Sequence, residues 1–329
     1  MNLSSLLTPV LEAVWEASAC CEQIAAAFEA RDQHTKEDAS PVTVADYCSQ
    51  ALILKRLARI TPDVGVVAEE KGDALREHPE MCARIAAFVR TCDPAVTAEG
   101  IPALLDRGNH SGGHAGRFWT LDPIDGTKGY LRGGQYAIAL ALIEDGRPVF
   151  GVLGCPRFPA EASGRTGALF YGGETLKAAV AGSPGATPRE LHVSEALQTC
   201  DAKLCESVES GHTRHDRSAL LIQKLGLSKD VLRMDSQAKY AAVAQGLAGV
   251  YMRLPVEKGY REKIWDHAAG VAVIQAAGGK VTDLNGRPLD FGQGETLSRN
   301  RGVLATNGAL HPPALAVLRE ITPPESAWE

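Results

Sequence analysis

The chain of 329 residues has no apolar run approaching the ~20 residues that a membrane-crossing helix needs; its strongest, 136–143, is far shorter, so no membrane partner is expected. It also has no dense stretch of positive charge. With 34 Lys and Arg against 40 Asp and Glu the formal net charge is −6, which offers little to the phosphates of a polymeric nucleic acid. A positively charged start is missing, and Glu12, Glu16 and Glu22 stand where an export signal would be apolar, so a cytoplasmic protein is expected. Regular cysteine spacing is missing too: Cys20, Cys21, Cys48, Cys82, Cys92, Cys155, Cys200 and Cys205 are scattered and do not suggest a disulfide framework, leaving reduced thiols as the expectation. Cys200, Cys205, His212 and His215 are spaced too tightly for a zinc finger. The glycine pairs Gly112-Gly113, Gly133-Gly134 and Gly278-Gly279 do not make a G-x-G-x-x-G fingerprint, so dinucleotide redox chemistry is not indicated. Internal repeats and low-complexity tracts are absent.

What remains is a globular composition, 45% hydrophobic and 22% charged, in a chain about twice the usual length of one domain. The segment 181–188, with two prolines and two glycines, separates an expected N-terminal domain, 1–180, from a C-terminal one, 189–329. In the first, Val10, Val14, Cys21, Ile24, Ala25 and Phe28 recur at helical spacing, a second helix follows 40–46, and a third is expected near 81–90. Strands are expected at 65–68, 118–121, 136–144 and 148–155, with Asp145-Gly146 as the hairpin turn between the last two. In the second, strands at 203–208, 231–234 and 249–254 alternate with helices at 217–225, 238–245 and 266–277. The fold class is therefore α+β in the first half and α/β in the second.

The sharpest chemical signal is Asp122-Pro123-Ile124-Asp125-Gly126-Thr127. An apolar strand delivers Asp122, proline is expected to stop the ladder, and Asp125 returns at a glycine turn, so two carboxylates converge beyond a strand end. Hard cations such as Mg²⁺ prefer oxygen ligands, and the Ile124 carbonyl can add another. Thr127 and the backbone N–H groups after it can face a phosphate. Alone, the string also reads as an ordinary Asp-Pro turn. Glu69 and Glu70 follow the strand 65–68; neighbours at a strand end point opposite ways, so only Glu69 is expected to ligate. Asp266 alone reads as a helix cap, Lys239 and Arg253 as surface cations, Tyr240 as core or a base-stacking ring, and His267 as a packing or capping residue.

Taken together, Ala68-Glu69-Glu70, Asp122-Pro-Ile-Asp-Gly-Thr127 and Ile264-Trp-Asp-His-Ala-Ala-Gly270 resemble the lithium-sensitive, Mg²⁺-dependent phosphatases of the inositol monophosphatase superfamily. The likeness extends over nearly the whole chain. Ser40-Pro-Val-Thr-Val-Ala-Asp46, Thr127-Lys-Gly-Tyr-Leu-Arg-Gly133, Val208-Glu-Ser-Gly-His212, Asp235-Ser-Gln-Ala-Lys239 and Val250-Tyr-Met-Arg253 are most similar to its 3'(2'),5'-bisphosphate nucleotidase branch. The resemblance implies a two-domain layered αβαβα sandwich. It implies that Glu69, Asp122, Asp125, Asp266 and the Ile124 carbonyl hold two or three Mg²⁺ ions, and that Asp46 and Thr127 relay the proton of a metal-activated water. It assigns phosphate and ribose contacts to Thr127, Ser236, Lys239, Arg253 and Asp266, and places His212 near the adenosine. The implied substrates are adenosine 3',5'-bisphosphate and its sulfated analogue, acted on by a monomer or weak dimer. An inositol polyphosphate 1-phosphatase, or a broader inositol or sugar phosphatase, would share the metal residues without needing Ser236, Lys239 and Arg253. A non-catalytic nucleotide-binding protein would need no Asp46/Thr127 pair.

Overall fold

The computed structural model describes residues 2–27, 33–35, 41–159, 166–183, 185–208, 215–255 and 259–322. Its largest sheet is assembled from sequence neighbours: β3 (Gly65–Ala68), β4 (Arg117–Asp125), β5 (Ala137–Glu144), β6 (Arg147–Cys155), β7 (Ala168–Gly173), β8 (Leu176–Ala181) and β9 (Arg189–Glu190), in that order. Only β3 and β4 run parallel. The β5–β6 hairpin turns at Asp145 and Gly146, both at positive φ (48° and 73°), the handedness that matches strand twist. A small ribbon of β1 (Gln33–Thr35) and β2 (Pro41–Thr43) precedes this sheet.

Alternation along β5, and along β4 as far as Asp122, divides the side chains between two faces. Trp119, Leu121, Ile138, Leu140 and Leu142 pack with α1 (Leu3–Ala26) and α2 (Val44–Ile60), behind which lie α3 (Pro79–Val89) and α4 (Ile101–Leu105). The buried Trp119 ring donates its Nε1–H to Thr61 Oγ1 at 2.9 Å, so its polar edge is satisfied. Phe118, Ala137, Ala139, Ala141 and Ile143 look the other way. The short helix α5 (Thr127–Leu131) follows β4, and α6 (His215–Leu225), α7 (Ala238–Ala244), α8 (Ala268–Ala276) and α9 (His311–Ile321) belong to the second half.

The second sheet runs β11 (Leu232–Arg233), β10 (Leu204–Glu206), β12 (Val250–Arg253), β14 (Val303–Thr306), β13 (Lys280–Thr282). Cys205, Tyr251, Val303 and Ala305 share a core with α7, α8 and the alanine face of β5, while Leu204, Val250, Met252 and Leu304 pack with Leu221, Ala314 and Leu318 of α6 and α9. The layers are thus helix, sheet, helix, sheet, helix. The central layer is tight because its residues are small: a Cβ on Gly151 would lie 2.5 Å from the Ala269 carbonyl oxygen, and one on Gly270 would lie 2.2 Å from Tyr240 Cγ.

Several expectations shift. The strand expected to stop before Pro123 continues to Asp125, because β3 pairs no further than Leu121 and the missing proline N–H falls where that neighbour has ended. The helix expected from 266 starts at Ala268. Of the segment 181–188, Ala181 still belongs to β8 and the other described residues lie in no strand or helix, and β9 then returns to the edge of β8. Sequence reading assigns no element to 168–181 or beyond 277, where β7, β8, β13, β14 and α9 lie. No helix among the described residues is long and apolar enough to cross a membrane. The cysteines are free thiols.

Candidate active site

The site forms where β4 leaves its ladder. Asp122 pairs with Ala139 and Asp125 with Ala137, so one strand spends an extra residue and forms a bulge. Residues three apart on a regular strand face opposite sides, and the extra residue cancels that. The Ile124 N–H donates to Asp122 Oδ1 at 3.1 Å, folding the bulge back on itself, and the Ile124 carbonyl accepts from Thr127 Oγ1 at 3.2 Å. Gly126 at φ +88° starts α5 and passes so close to Ser236 that a Cβ would lie 3.1 Å from the serine's own.

Asp46 sits in the first turn of α2, buried, as the acid of a capping box: Oδ2 accepts from the Thr43 N–H at 2.8 Å and from Thr43 Oγ1 at 2.7 Å. This leaves Oδ1 turned to Thr127 Oγ1, at 3.4 Å. One threonine proton is therefore shared between Asp46 and the Ile124 carbonyl.

Glu69 follows β3 and extends it by one bond, its N–H donating to the Leu121 carbonyl at 3.2 Å. Its side chain is half-buried, whereas that of Glu70 is buried, with the Glu70 backbone clamped by Gln50 through bonds of 2.6 and 3.0 Å. Glu69 is among the charges that act on Asp122 and Asp266. Burial first, then repulsion from Glu69, Asp125, Asp266 and Asp46, pushes the Asp122 carboxyl well above the usual carboxylate range. Burial likewise raises Asp125, though Lys239, Arg253 and the Gln237 N–H, which donates to Asp125 Oδ2 at 2.5 Å, oppose the rise. Asp266 is raised well above its ordinary value by burial, against Arg253 and with Asp125, Glu262 and Glu69. The acids expected to act together from distant segments therefore share one electrostatic environment.

The second half supplies the cations. Ser236 adopts φ +64°, unusual for a residue with a side chain, and its Oγ accepts from the Ala238 N–H at 3.1 Å. Lys239 is no surface cation: it is buried, its Nζ donates to the carbonyls of Ser236 (2.7 Å) and Met234 (3.4 Å), and burial lowers its pKa while Asp125 holds the charge on. Arg253 is mostly buried as well, bonded through Nε to Glu262 at 2.8 Å, with a terminal nitrogen 3.9 Å from Asp266 Oδ2. His212 lies outside the described residues.

Of the other readings made on single residues, the cap reading of Asp266 changes, while His267 as a packing residue and Tyr240 as core both hold. Asp266 lies two positions before α8, so it is not that helix's cap; His267 takes the cap position but makes no side-chain cap bond. It is fully buried instead between Tyr240 OH (2.7 Å) and Glu262 Oε2 (3.1 Å). Tyr240 is core, wedged beneath Gly270, and unavailable to a base. Sequence reasoning missed Glu262 and Gln237. The buried Gln237 side chain joins the Trp265 carbonyl (2.8 Å) to the Gly270 N–H (3.1 Å), fixing the backbone on both sides of Asp266. Gln237 stood in a string that carries the family likeness and Glu262 two residues before another, but nothing local marks either as buried.

Carboxylates and a carbonyl oxygen, gathered in a poorly solvated spot that resists their joint ionisation, form a donor set suited to hard divalent cations. Glu262, Asp266 and His267 also bring potential ligand atoms within 4.8 Å of one another, but Glu262 and His267 already bond to Arg253 and Tyr240.

The chain belongs to the inositol monophosphatase family, which it matches over residues 2–322. It is 40% identical over 295 residues to a 3'(2'),5'-bisphosphate nucleotidase of Schizosaccharomyces pombe, covering 82% of this chain and 81% of the relative. It is 39% identical over 335 residues to a protein of the same name from Oryza sativa, with 95% and 93% covered. Among solved structures, inositol monophosphatase from Anabaena superposes with a TM-score of 0.63 at 24% identity, covering 100% of both chains. Extragenic suppressor protein suhB from Bartonella henselae does so with a TM-score of 0.66 at 19% identity, covering 96% and 99%. These two likenesses establish the layered fold.

Proposed function

We propose that the protein is a Mg²⁺-dependent phosphatase that hydrolyses the 3'-phosphate of adenosine 3',5'-bisphosphate, releasing AMP and phosphate, and that it also accepts the sulfated analogue. The observation that carries this reading is the Asp46–Thr127 hydrogen bond beside a carboxylate cluster onto which Lys239 and Arg253 also act. The names of the relatives support the nucleotide. Glu69, Asp122, Asp125, Asp266 and the Ile124 carbonyl are the ligands for two or three ions. Bound magnesium supplies Lewis-acid stabilisation of the phosphate and acidifies water at the site. Thr127 Oγ1 accepts the proton of the attacking water as its own proton passes to Asp46 Oδ1. Water adds to phosphorus, the bond to the ribose 3'-oxygen breaks, and that oxygen takes a proton from solvent as Asp46 returns its own to solvent. Ser236, Lys239 and Arg253 fix the phosphates and ribose, Lys239 through its charge, and His212 lies near the adenosine. The two domains are 1–180 and 189–329, and the protein acts as a monomer or weak dimer.

The test is phosphate release from adenosine 3',5'-bisphosphate, inositol 1,4-bisphosphate and inositol 1-phosphate with Mg²⁺, with and without Li⁺, for the wild type and Asp122→Asn. Preference for the nucleotide, inhibited by Li⁺ and lost in the variant, is expected. Preference for an inositol substrate would replace the nucleotide assignment with an inositol phosphatase, and no turnover at all would point to a nucleotide-binding protein.

A further inference from the structure

We propose that Glu262 is a positioning residue that holds the Arg253 guanidinium toward the substrate phosphates while restraining it from closing onto Asp266. The proposal deepens the phosphatase reading and rests on it.

Glu262 is buried at 4% exposure, and its Oε2 accepts from Arg253 Nε at 2.8 Å. The same oxygen meets His267 Nε2 at 3.1 Å, and the other imidazole nitrogen meets Tyr240 OH at 2.7 Å. The groups behind this carboxylate are themselves paired or packed. The Leu297 N–H donates to the Glu262 carbonyl at 2.8 Å, and Lys263 bridges to Thr296. Tyr240 is itself locked beneath Gly270.

With Nε paired to Glu262, the terminal nitrogens are the donors left for other partners. One lies 3.4 Å from Tyr260 OH and 3.9 Å from Asp266 Oδ2, beyond hydrogen-bond reach of the carboxylate. A flexible arginine beside an acid would ordinarily close into a direct, often bidentate, pair. Here the bond to Glu262 stops the approach, so Asp266 keeps its oxygens and Arg253 keeps donors for an incoming phosphate. At 16% exposure the arginine side chain is still reached from solvent.

The test is a double-mutant cycle on the full chain with Glu262→Gln and Arg253→Lys. Glu262→Gln preserves size while removing the charge that anchors Nε; Arg253→Lys preserves charge while removing Nε itself. Each single variant is expected to raise KM for adenosine 3',5'-bisphosphate roughly tenfold, within the range of coupled neighbours, with kcat changed much less. The double variant is expected to be no worse than Arg253→Lys alone. KM does not depend on the folded fraction, so a merely structural loss would lower apparent kcat and leave KM unmoved. Calorimetric binding of AMP should weaken in the same pattern without turnover. Multiplying KM effects, or an unchanged KM and AMP affinity in Glu262→Gln, would overturn the role of Glu262 while wild-type turnover still upheld the phosphatase. Absence of wild-type turnover would overturn both.

Discussion

Asp122 is a carboxylate buried among carboxylates, a state that water would not choose. In metal-free buffer, Asp122→Asn removes one member of a repelling set and is expected to raise the unfolding temperature above that of the wild type, as calorimetry would register. With Mg²⁺ present the same change should lower phosphate release at least about a hundredfold, since one neutral oxygen cannot replace an anionic ligand of the charged transition state. His311 titrates far from the site. It is buried between Thr282 (2.9 Å) and Thr306 (3.0 Å), and burial, followed by Lys280, lowers its pKa to about 4. Because the unfolded chain takes up that proton near pH 6.5, His311 costs stability progressively as pH falls from about 6.5 to 4. Urea unfolding at pH 7 and pH 5 should therefore show a smaller loss in His311→Gln than in the wild type. Glu262 is lowered too: Arg253 and His267 overcome burial to hold it at about 2, so its contribution to stability is intact above about pH 4.5 and lost as pH falls toward 2. Asp46, Thr127 and the acids of the cluster were legible in the sequence, because short strings with fixed spacing carry them. Glu262 and Gln237 were not. A glutamate in Glu-Lys-Ile-Trp-Asp looks like an exposed charge until Arg253 and His267 are folded onto it.

The bulge in β4 and the glycines of the central layer show how single elements were tuned to the site. Gly270 and Gly151 let α8 press against Tyr240 on one side and β6 on the other. Gly270→Ala and Gly151→Ala are each expected to lower stability by at least about 1–3 kcal/mol in urea unfolding, because a methyl group there meets ring carbons or backbone and not the end of a flexible chain. Gly182→Ala, where a Cβ meets nothing within 4 Å, serves as the control and should stay within about 0.5 kcal/mol. The strands at 65–68, 137–144 and 147–155 were readable because alternation or β-branched runs announce them. The hairpin of β7 and β8 was not, since Gly172, Gly173 and Lys177 interrupt the pattern that buried neighbours complete. Proline misled at β4 for a related reason: whether it ends a strand depends on the partner beside it, which only the sheet reveals.

In the molecule as a whole, the acids come from α2, the ends of β3 and β4 and the approach to α8, so cations held among them draw both halves together. Lys71 adds a further contact, its Nζ donating to the Ala68 carbonyl at 2.9 Å and to Glu295 at 3.1 Å. Saturating Mg²⁺ is expected to stabilise the fold by about 2.7 kcal/mol at a hundred times Kd, seen as a chelator-reversible rise in unfolding temperature that Asp122→Asn abolishes. The succession of layers followed from the family likeness; how deeply α8 is shared between the two sheets did not. For that reason a fragment of residues 1–188 is expected to bind a hydrophobic dye and to lack a cooperative unfolding transition, even though the linker looks like a natural place to cut.

That shared helix also has a history in time. The bare face of β5 and β6, lined by Ala137, Ala139, Ala141 and Gly151, leaves the ribosome long before the α8 segment that fits it. At about 5–20 residues per second the wait is on the order of ten seconds. Throughout it the nascent chain presents an unclosed seam, and a chaperone that acts on this protein would find its binding surface there.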